Sequence, residues 1–233
     1  MSDTESRTSD RPATWAGRAG NWLSEEALTG LLLILVVDMF LLPVLGPRVG
    51  EVILNLVFTV LLFTGLAAVA NRGVAFVAIG ILALAAAVLT WIAPVQGLPG
   101  TPASAAGAAV VIFAIFTFLV LLRTLSPGPI TRRRLEGAIA AYLLIAVTFG
   151  LAFELVEHLA PGSLAFAAGK PDDLRSEVGY FSMVTLTTVG YGDVTPVSPL
   201  ARRLAMFEGV VGQLYPAILI GWMVSSLRPR GRE

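Results

Sequence analysis

Residues 185–196 read TLTTVGYGDVTP, a polar, glycine-rich segment in a chain that is otherwise mostly apolar. Gly190 and Gly192 lie two residues apart, and glycine adopts positive φ at little steric cost. A strand with alternating unusual dihedrals can aim successive backbone carbonyl groups in one direction. Such a row of oxygens is a ligand set for a hard, weakly hydrated cation. One chain supplies one row, so a closed cage needs several copies around an axis.

The composition places these residues in a membrane protein. The chain has 233 residues, of which 56% are hydrophobic and 14% are charged, and its mean hydropathy is +0.80. A soluble domain usually has about a quarter of its residues charged. The formal net charge is zero, so no global field favours nucleic acid as a partner. The absence of cysteine excludes disulfides and thiolate–metal sites, and no nucleophile–base pair or phosphate-binding loop indicates an enzyme.

Six apolar stretches are long enough to cross a hydrocarbon core of roughly 30 Å, which takes about 20 helical residues. They are 27–45, 52–70, 74–93, 107–125, 135–159 and 203–227. Arginines precede the first stretch, separate the second from the third, precede the fifth and follow the last. All four groups fall on one side if the stretches alternate, and that side is cytoplasmic. We therefore expect a multi-pass protein of the plasma membrane with both termini in the cytoplasm.

A shorter apolar run precedes the glycine-rich turn. Residues 177–188 would form a helix about 18 Å long, which reaches only about halfway through a bilayer. We therefore predict a re-entrant helix followed by irregular backbone at membrane depth. Such backbone is tolerated only where it is buried in protein or lines a water-filled cavity.

The sequence TTVGYGD at Thr187–Asp193 resembles the signature of potassium channels, whose filters carry TVGYG. The surrounding helix–filter–helix plan covers roughly residues 135–227. The chain is identified as a member of the tetrameric, voltage-gated-like pore-loop cation channel superfamily, and it resembles a prokaryotic six-transmembrane potassium channel. The resemblance implies an all-α integral membrane fold. It comprises a four-helix sensor-like bundle and a two-helix pore domain with a re-entrant pore helix and a selectivity filter, assembled as a homotetramer.

On this plan the chain divides into five parts. They are a cytosolic tail at 1–26, a voltage-sensor-like domain at 27–125, a linker at 126–134, a pore domain at 135–227 with its pore helix at 177–188 and filter at 188–192, and a short cytosolic tail at 228–233. The linker ends in Arg132, Arg133 and Arg134. These three could hold anionic lipid, and a plain role in membrane topology explains them equally well.

The resemblance implies passive conduction of K⁺ through four ion sites, with no cofactor other than the ions. The carbonyl oxygens of Thr188, Val189, Gly190 and Tyr191 would line the sites, and Gly192 would complete the filter. The hydroxyl group of Thr188 would close the innermost site.

Four residues would support the filter: Thr187, Asp193, Tyr180 and Val184. Val184 occupies a position where some bacterial relatives carry a glutamate that pairs with the aspartate after the filter. That brace is absent here. We therefore predict that Tyr180, one helical turn earlier, donates a hydrogen bond to Asp193; a merely interfacial Tyr180 is the alternative.

The last apolar stretch holds the residues of a predicted gate. Pro216 lacks an N–H and leaves the carbonyl of Gly212 without its helical partner, which favours a bend. Gly212 also has the spacing of the glycine hinge in potassium channel inner helices. A stripe at four-residue steps, Gly212, Pro216, Ile220 and Val224, would line the cavity, with Ile220 or Val224 as an apolar constriction. A permanently kinked helix that never moves is the alternative.

Four ionisable residues in or near these stretches are harder to assign. Glu208 lies about a turn into the last stretch; an intramembrane carboxylate is a functional candidate, but a hydrogen bond to the back of the pore helix is the simpler role. Glu154, Glu157 and His158 are expected to form a solvated outer rim. The resemblance implies that the acid at position 157 braces the loops, and His158 is only weak support for pH sensing.

The fourth stretch carries a single arginine, Arg123, at its inner end, whereas voltage-gated relatives carry one at every third position. One charge moved through 100 mV yields only about 2.3 kcal/mol. We therefore expect a channel with little or no voltage sensing. Two other functions stay open: the pore subunit of a K⁺ transporter and a non-conducting membrane sensor. One complete filter per chain weighs against the first, and the intact motif weighs against the second.

Overall fold

The structure is a computed structural model that describes residues 29–41, 101–125 and 131–226. Three of its helices are long and apolar enough to cross a membrane: Pro102–Leu122, Arg132–Leu159 and Pro199–Ser225. They correspond to the fourth, fifth and sixth predicted stretches. The second and third stretches, both tails and most of the linker lie outside the described residues. The six-span bundle therefore stays a prediction.

The described part of the chain is mostly helical. Helix α1 covers 29–36 and continues as a π-helical turn at Val37–Leu41; α2 is Thr101–Thr124, α3 is Arg132–Leu159, α4 is Leu174–Leu186 and α5 is Pro199–Ser226. Two short strands, β1 at Leu164–Phe166 and β2 at Val194–Pro196, flank α4 in the chain.

Helices α1, α2 and α3 share one apolar core. Leu31 and Leu35 of α1 are buried in it together with Phe113 and Phe116 of α2 and Leu144 of α3. Helix α2 is apolar on all sides, as is typical of a helix surrounded by protein or lipid. The last helix of the predicted sensor-like unit thus packs directly on α3, the outer helix of the predicted pore unit.

Helix α3 begins at Arg132, three residues before the expected start of the pore domain. Thr131 is its N-cap, and the Thr131 hydroxyl accepts a hydrogen bond from the backbone N–H of Arg134 at 3.3 Å. A threonine cap satisfies one of the free N–H groups of the first turn, so the three arginines of the linker are helical. The side chain of Arg132 then pairs with Glu136 one turn later, at 3.3 Å.

A second core joins α3, α4 and α5 near the C-terminal end of α3. It contains Phe153 and Val156 of α3, Val178 and Phe181 of α4, and Ala201 of α5. The rings of Phe153 and Phe181 meet edge to face with centroids 4.8 Å apart, an arrangement that aromatic pairs favour. This packing holds the short helix α4 between the two long helices.

The described residues are mostly helical, as expected, and the structure adds one detail that was not predicted: β1 and β2 form a two-stranded antiparallel sheet. Leu164 pairs with Pro196, and Phe166 pairs with Val194. Each strand has only three residues, too few for an alternating pattern to be recognised in the sequence. The sheet ties the chain just after the glycine-rich turn to the loop that follows α3.

Helix α4 begins three residues before the predicted start at 177 and ends two residues before the predicted end at 188. Asp173 is its N-cap and accepts a hydrogen bond from the backbone N–H of Ser176 at 3.3 Å. Glu177 lies in the first turn, where a negative charge complements the helix dipole. The helix has 13 residues, about 20 Å at the usual rise, so it is too short to span a bilayer.

Candidate functional site

The backbone of the glycine-rich turn alternates between positive and negative φ. Thr188, Gly190 and Gly192 have φ values of 60°, 59° and 82°, and Thr188 is the one non-glycine residue with positive φ among the described residues. Val189 and Tyr191, between them, therefore have negative φ. Positive φ is a marked outlier for a β-branched residue such as threonine, and strain of this kind concentrates at functional sites.

The first N–H groups of the turn are directed back towards the end of α4. The N–H of Thr188 donates to the carbonyl of Thr185 at 3.0 Å, and those of Val189 and Gly190 donate to the carbonyl of Val184 at 3.0 and 3.4 Å. The donors are thus satisfied on the helix side of the strand. This arrangement leaves the side of the segment that faces away from α4 available to its backbone carbonyl groups.

The predicted hydrogen bond between Tyr180 and Asp193 is confirmed. The hydroxyl of Tyr180 donates to Oδ2 of Asp193 at 2.6 Å. The bond lowers the pKa of the Asp193 carboxyl below its ordinary value and, together with partial desolvation, raises the pKa of Tyr180 to about 12. A tyrosine on α4 is thereby tied to the residue that ends the turn.

Asp193 is also held by backbone groups on its other side. Its Oδ1 accepts from the N–H of Val194 at 3.0 Å, and its carbonyl oxygen accepts from the N–H of Ala167 at 2.8 Å. The turn is therefore anchored to α4 through Tyr180 and to the β1–β2 sheet through Ala167.

At the other end of the turn, a glutamine contacts Thr188. The amide Nε2 of Gln213, on α5, donates to the hydroxyl oxygen Oγ1 of Thr188 at 3.0 Å. The hydroxyl of Thr187 instead donates back into α4, to the carbonyl of Met183 at 2.7 Å. Gln213 is not among the residues predicted from the sequence, where its signal is a polar residue directly after Gly212 in an apolar helix.

A family model described as "Ion channel" matches residues 141–228, from α3 to the end of α5. Residues 141–228 are therefore similar to an ion channel domain. The match covers α4, the glycine-rich turn and the two helices that enclose them. The family points to a membrane channel and away from an enzyme.

Three curated relatives are similar to part of the chain. "Two pore potassium channel c" of Oryza sativa subsp. japonica is 38% identical over 85 residues, which are 36% of this chain and 17% of the relative. "Protein LctB" of Geobacillus stearothermophilus is 38% identical over 63 residues, 27% and 46% of the two chains. "Inward rectifier potassium channel Kirbac3.1" of Paramagnetospirillum magnetotacticum is 31% identical over 81 residues, 33% and 24% of the two chains. The matches span less than half the length of each relative.

Within the part of the chain that the family model matches, Glu208 of α5 contacts α4. Its Oε1 lies in hydrogen-bonding contact with the hydroxyl of Ser182, which is also 2.7 Å from the carbonyl oxygen of Ala146 in α3. Glu208 and Ser182 are completely buried. The simpler of the two expectations for Glu208, a hydrogen bond to the pore helix, is confirmed.

The expectation of a solvated rim is wrong for Glu154. This residue is buried, with 7% of its surface exposed, and Arg175 binds it in a bidentate fashion: Nε lies 3.0 Å from Oε2 and Nη2 lies 3.2 Å from Oε1. His158 adds a longer contact, with Nε2 3.6 Å from Oε1. The sequence places Arg175 at a distance of 21 residues, and only the packing of α4 on α3 brings it to Glu154.

Glu157 braces the loop after α3, as the resemblance implied. Its Oε1 accepts from the N–H of Gly162 at 2.7 Å, and its Oε2 accepts from the N–H of Leu164 at 3.0 Å. These bonds fix the entry into β1. The loop and the sheet therefore form one polar framework around the exit of the turn.

The predicted gate residues differ in their surroundings. Pro216, Ile220 and Val224 are exposed in the single subunit, whereas Gly212 is buried against the end of α4. A Cβ atom at Gly212 would point at the backbone of Leu186, not into open space. Helix α5 is continuous through Pro216. The hinge, the cavity stripe and the constriction stay predictions.

Proposed function

We propose that the chain forms a homotetrameric, K⁺-selective channel of the plasma membrane that conducts passively. The observation that carries the proposal is the alternation of φ along Thr188–Gly192. Alternating left-handed and ordinary backbone conformations turn successive carbonyl groups to one side. The carbonyls of Thr188, Val189, Gly190 and Tyr191 would then replace the hydration shell of K⁺, with the hydroxyl of Thr188 at the innermost site.

The end of α4 supports a cation at this place. The C-terminus of a helix carries the negative end of its dipole, equivalent to roughly half an elementary charge. Helix α4 ends at Leu186, two residues before Thr188. A cation that loses water on its way to the filter is stabilised by this field.

Self-assembly follows from geometry and from exposure. One strand supplies one row of ligands, and a closed cage requires several rows. In the single subunit, 52% of Val189 and 71% of Tyr191 is exposed. Only 11% of the most apolar stretch of α5 is buried, against 61% for α3. Three further copies around the filter axis would cover these surfaces.

Weak voltage sensing follows from the charge count in the sequence. Arg123 is the only arginine in the fourth apolar stretch. True sensors move 3–4 charges per subunit, at about 2.3 kcal/mol per charge and 100 mV. We therefore propose a channel whose open probability changes little with voltage. Its termini lie in the cytoplasm by the positive-inside rule, and Arg132–Arg134 could contact anionic lipid there.

Flux measurements on purified protein in liposomes test this proposal. We expect K⁺ flux that is much faster than Na⁺ flux, is blocked by Ba²⁺ and is lost in Gly190→Ala. Gly169→Ala is the matched control, because Gly169 also has positive φ, at 89°, and lies in an outer loop with open space around it.

Several outcomes would contradict the proposal. Equal K⁺ and Na⁺ flux would exclude a selective filter, and flux that requires a second driving ion would indicate a transporter subunit. No flux from a correctly assembled protein would indicate a non-conducting sensor. A native mass that corresponds to any number of subunits other than four would contradict the tetramer.

A further inference from the structure

Three helices of the channel domain meet at a chain of buried oxygen atoms. Glu208 of α5 contacts Ser182 of α4, and the hydroxyl oxygen of Ser182 lies 2.7 Å from the carbonyl oxygen of Ala146 in α3. Ser182 and Glu208 have no exposed surface. Ser182 lies one helical turn before Leu186, the end of α4. This series of hydrogen-bonded oxygen atoms therefore fixes α4 close to the turn that carries the proposed ion sites.

The number of hydrogen atoms available to these three oxygens determines the protonation state of Glu208. A serine hydroxyl has one hydrogen to donate and can also accept. The carbonyl oxygen of Ala146 has no hydrogen, so the contact between it and Ser182 uses the serine hydrogen. The contact between Ser182 and Oε1 of Glu208 then needs a second hydrogen, which only the carboxyl group can supply. An ionised Glu208 would leave one of these two oxygen pairs without a hydrogen between them.

The surroundings of the second carboxyl oxygen lead to the same conclusion. Oε2 of Glu208 is buried and has no hydrogen-bond partner among the residues that the structure describes. No ion pair between described residues includes Glu208. An ionised carboxylate in such a place would be both desolvated and unpaired, which is very unfavourable.

We propose that Glu208 is present as the neutral carboxylic acid and that its O–H donates to Ser182, which donates in turn to the carbonyl of Ala146. Glu208 is thereby a positioning residue for the pore helix α4. A neutral donor joins the three helices without adding a fixed charge beside the filter. The protonation state stands on the geometry alone, whereas the effect on conduction rests on the proposed function.

Infrared spectroscopy of the reconstituted protein tests the protonation state directly. A carboxylic acid has a C=O stretching band that a carboxylate lacks. At neutral pH we expect this band in the wild type and its loss in Glu208→Gln. Glu177→Gln is the control, because Glu177 is an exposed carboxylate on α4, and it should leave the band unchanged. Ser182→Ala removes the acceptor and should shift the band to higher frequency.

The functional part is tested by comparing a conservative and a disruptive variant. The amide introduced by Glu208→Gln retains a donor group, so we expect this variant to keep the K⁺ flux within about twofold of the wild type. Glu208→Leu should lose roughly two- to tenfold, the factor that one hydrogen bond usually represents. Ser182→Ala should show a loss similar to that of Glu208→Leu, which keeps the test valid if Glu208→Leu fails to fold.

Different results overturn different parts. If Glu208→Gln removes carboxylate bands from the spectrum and leaves the acid C=O band unchanged, Glu208 is ionised in the wild type. This result would overturn the proposed protonation state. A Glu208→Gln channel as impaired as Glu208→Leu would overturn the positioning role. If the wild type carries no K⁺ flux, the proposed function and the positioning role fail together, and the infrared band still decides whether Glu208 is neutral.

Discussion

Gly212 of α5 packs directly on the last carbonyl group of α4. A Cβ atom built on Gly212 would lie 1.9 Å from the carbonyl oxygen of Leu186 and 2.7 Å from its carbonyl carbon. The same oxygen accepts a hydrogen bond from the hydroxyl of Tyr142 at 3.3 Å. Helices α3, α4 and α5 therefore meet at one backbone carbonyl, two residues before Thr188.

Gly212→Ala should destabilise the channel domain. The added methyl group cannot be placed without moving α5 away from α4, and such overpacking costs about 1–3 kcal/mol. Gly209→Ala is the matched control on the same helix, since nothing lies within 4 Å of its Cβ position. Thermal unfolding in detergent should show a lower midpoint for Gly212→Ala only. Equal midpoints combined with altered opening would instead favour the hinge role.

Tyr180→Phe should weaken the filter without unfolding the domain. The variant removes the hydroxyl that donates to Asp193 and keeps the ring. We expect faster loss of K⁺ current when the external K⁺ concentration is low. Asp193→Asn should have a similar effect, and the double variant should add little, because both changes remove the same bond. Unchanged inactivation in Tyr180→Phe would show that the bond has no role in conduction.

The Tyr180–Asp193 bond should be insensitive to pH over a wide range. The pKa of Asp193 in the folded protein is lowered from its ordinary value of 3.8. The stabilisation by its carboxylate is therefore complete above pH 3.8 and is lost as the pH falls through the folded pKa. The folded pKa of Tyr180 is raised from 10.0 to about 12, so its contribution is complete below 10.0 and is lost as the pH rises through about 12. Inactivation rates should therefore be constant between about pH 5 and pH 9. A transition near neutral pH that vanishes in Tyr180→Phe would contradict this.

Gln213 should tune the innermost ion site through Thr188. Its amide donates to the threonine hydroxyl at 3.0 Å and fixes an oxygen that is proposed to face the ion. Gln213→Leu should weaken block by internal Ba²⁺ roughly two- to tenfold. The effect should disappear in a Thr188→Val background, which lacks the hydroxyl. Leu214→Met, at an exposed neighbouring position, is the control, and additive effects of Gln213→Leu and Thr188→Val would contradict the coupling.

Arg175→Met should strongly destabilise the packing of α4 on the C-terminal part of α3. It leaves the buried carboxylate of Glu154 without its bidentate partner, and breaking a buried pair in this way costs about 3–5 kcal/mol. Lys170→Met removes an exposed positive charge nearby in the chain and should have little effect. Denaturant titration measures both. The double variant Glu154→Gln, Arg175→Met should recover part of the loss, and a neutral Arg175→Met would contradict the ion pair.

Much of the site can be predicted because it is local in the sequence. The motif and its neighbours set the positions of Tyr180 and Asp193, 13 residues apart, and the bond between them is present. The short apolar run indicates a helix that cannot span the membrane, although its cap at Asp173 shifts the start. Glu157 and Glu208 have partners of the expected kind.

The remainder depends on packing between distant segments. Glu154 looks like a helix-end acid until α4 brings Arg175 beside it. The sequence does not distinguish a glycine that acts as a hinge from one that is required by a close contact. The contact between Gly212 and Leu186 therefore has no sequence signal. In the sequence, Gln213 is an isolated polar residue in an apolar helix. Its role becomes visible only in the fold, which places Thr188 within hydrogen-bonding distance.

K⁺ selectivity is tested most directly by the reversal potential of wild-type channels in a planar bilayer with K⁺ on one side and Na⁺ on the other. If the carbonyl groups of Thr188–Tyr191 form the ion cage, the reversal potential should lie close to the limit set by K⁺ permeation alone. It should move towards zero, or the current should vanish, in Gly190→Ala. A wild-type reversal potential near zero would mean that K⁺ and Na⁺ pass equally well, and this result would contradict a K⁺-selective ion cage.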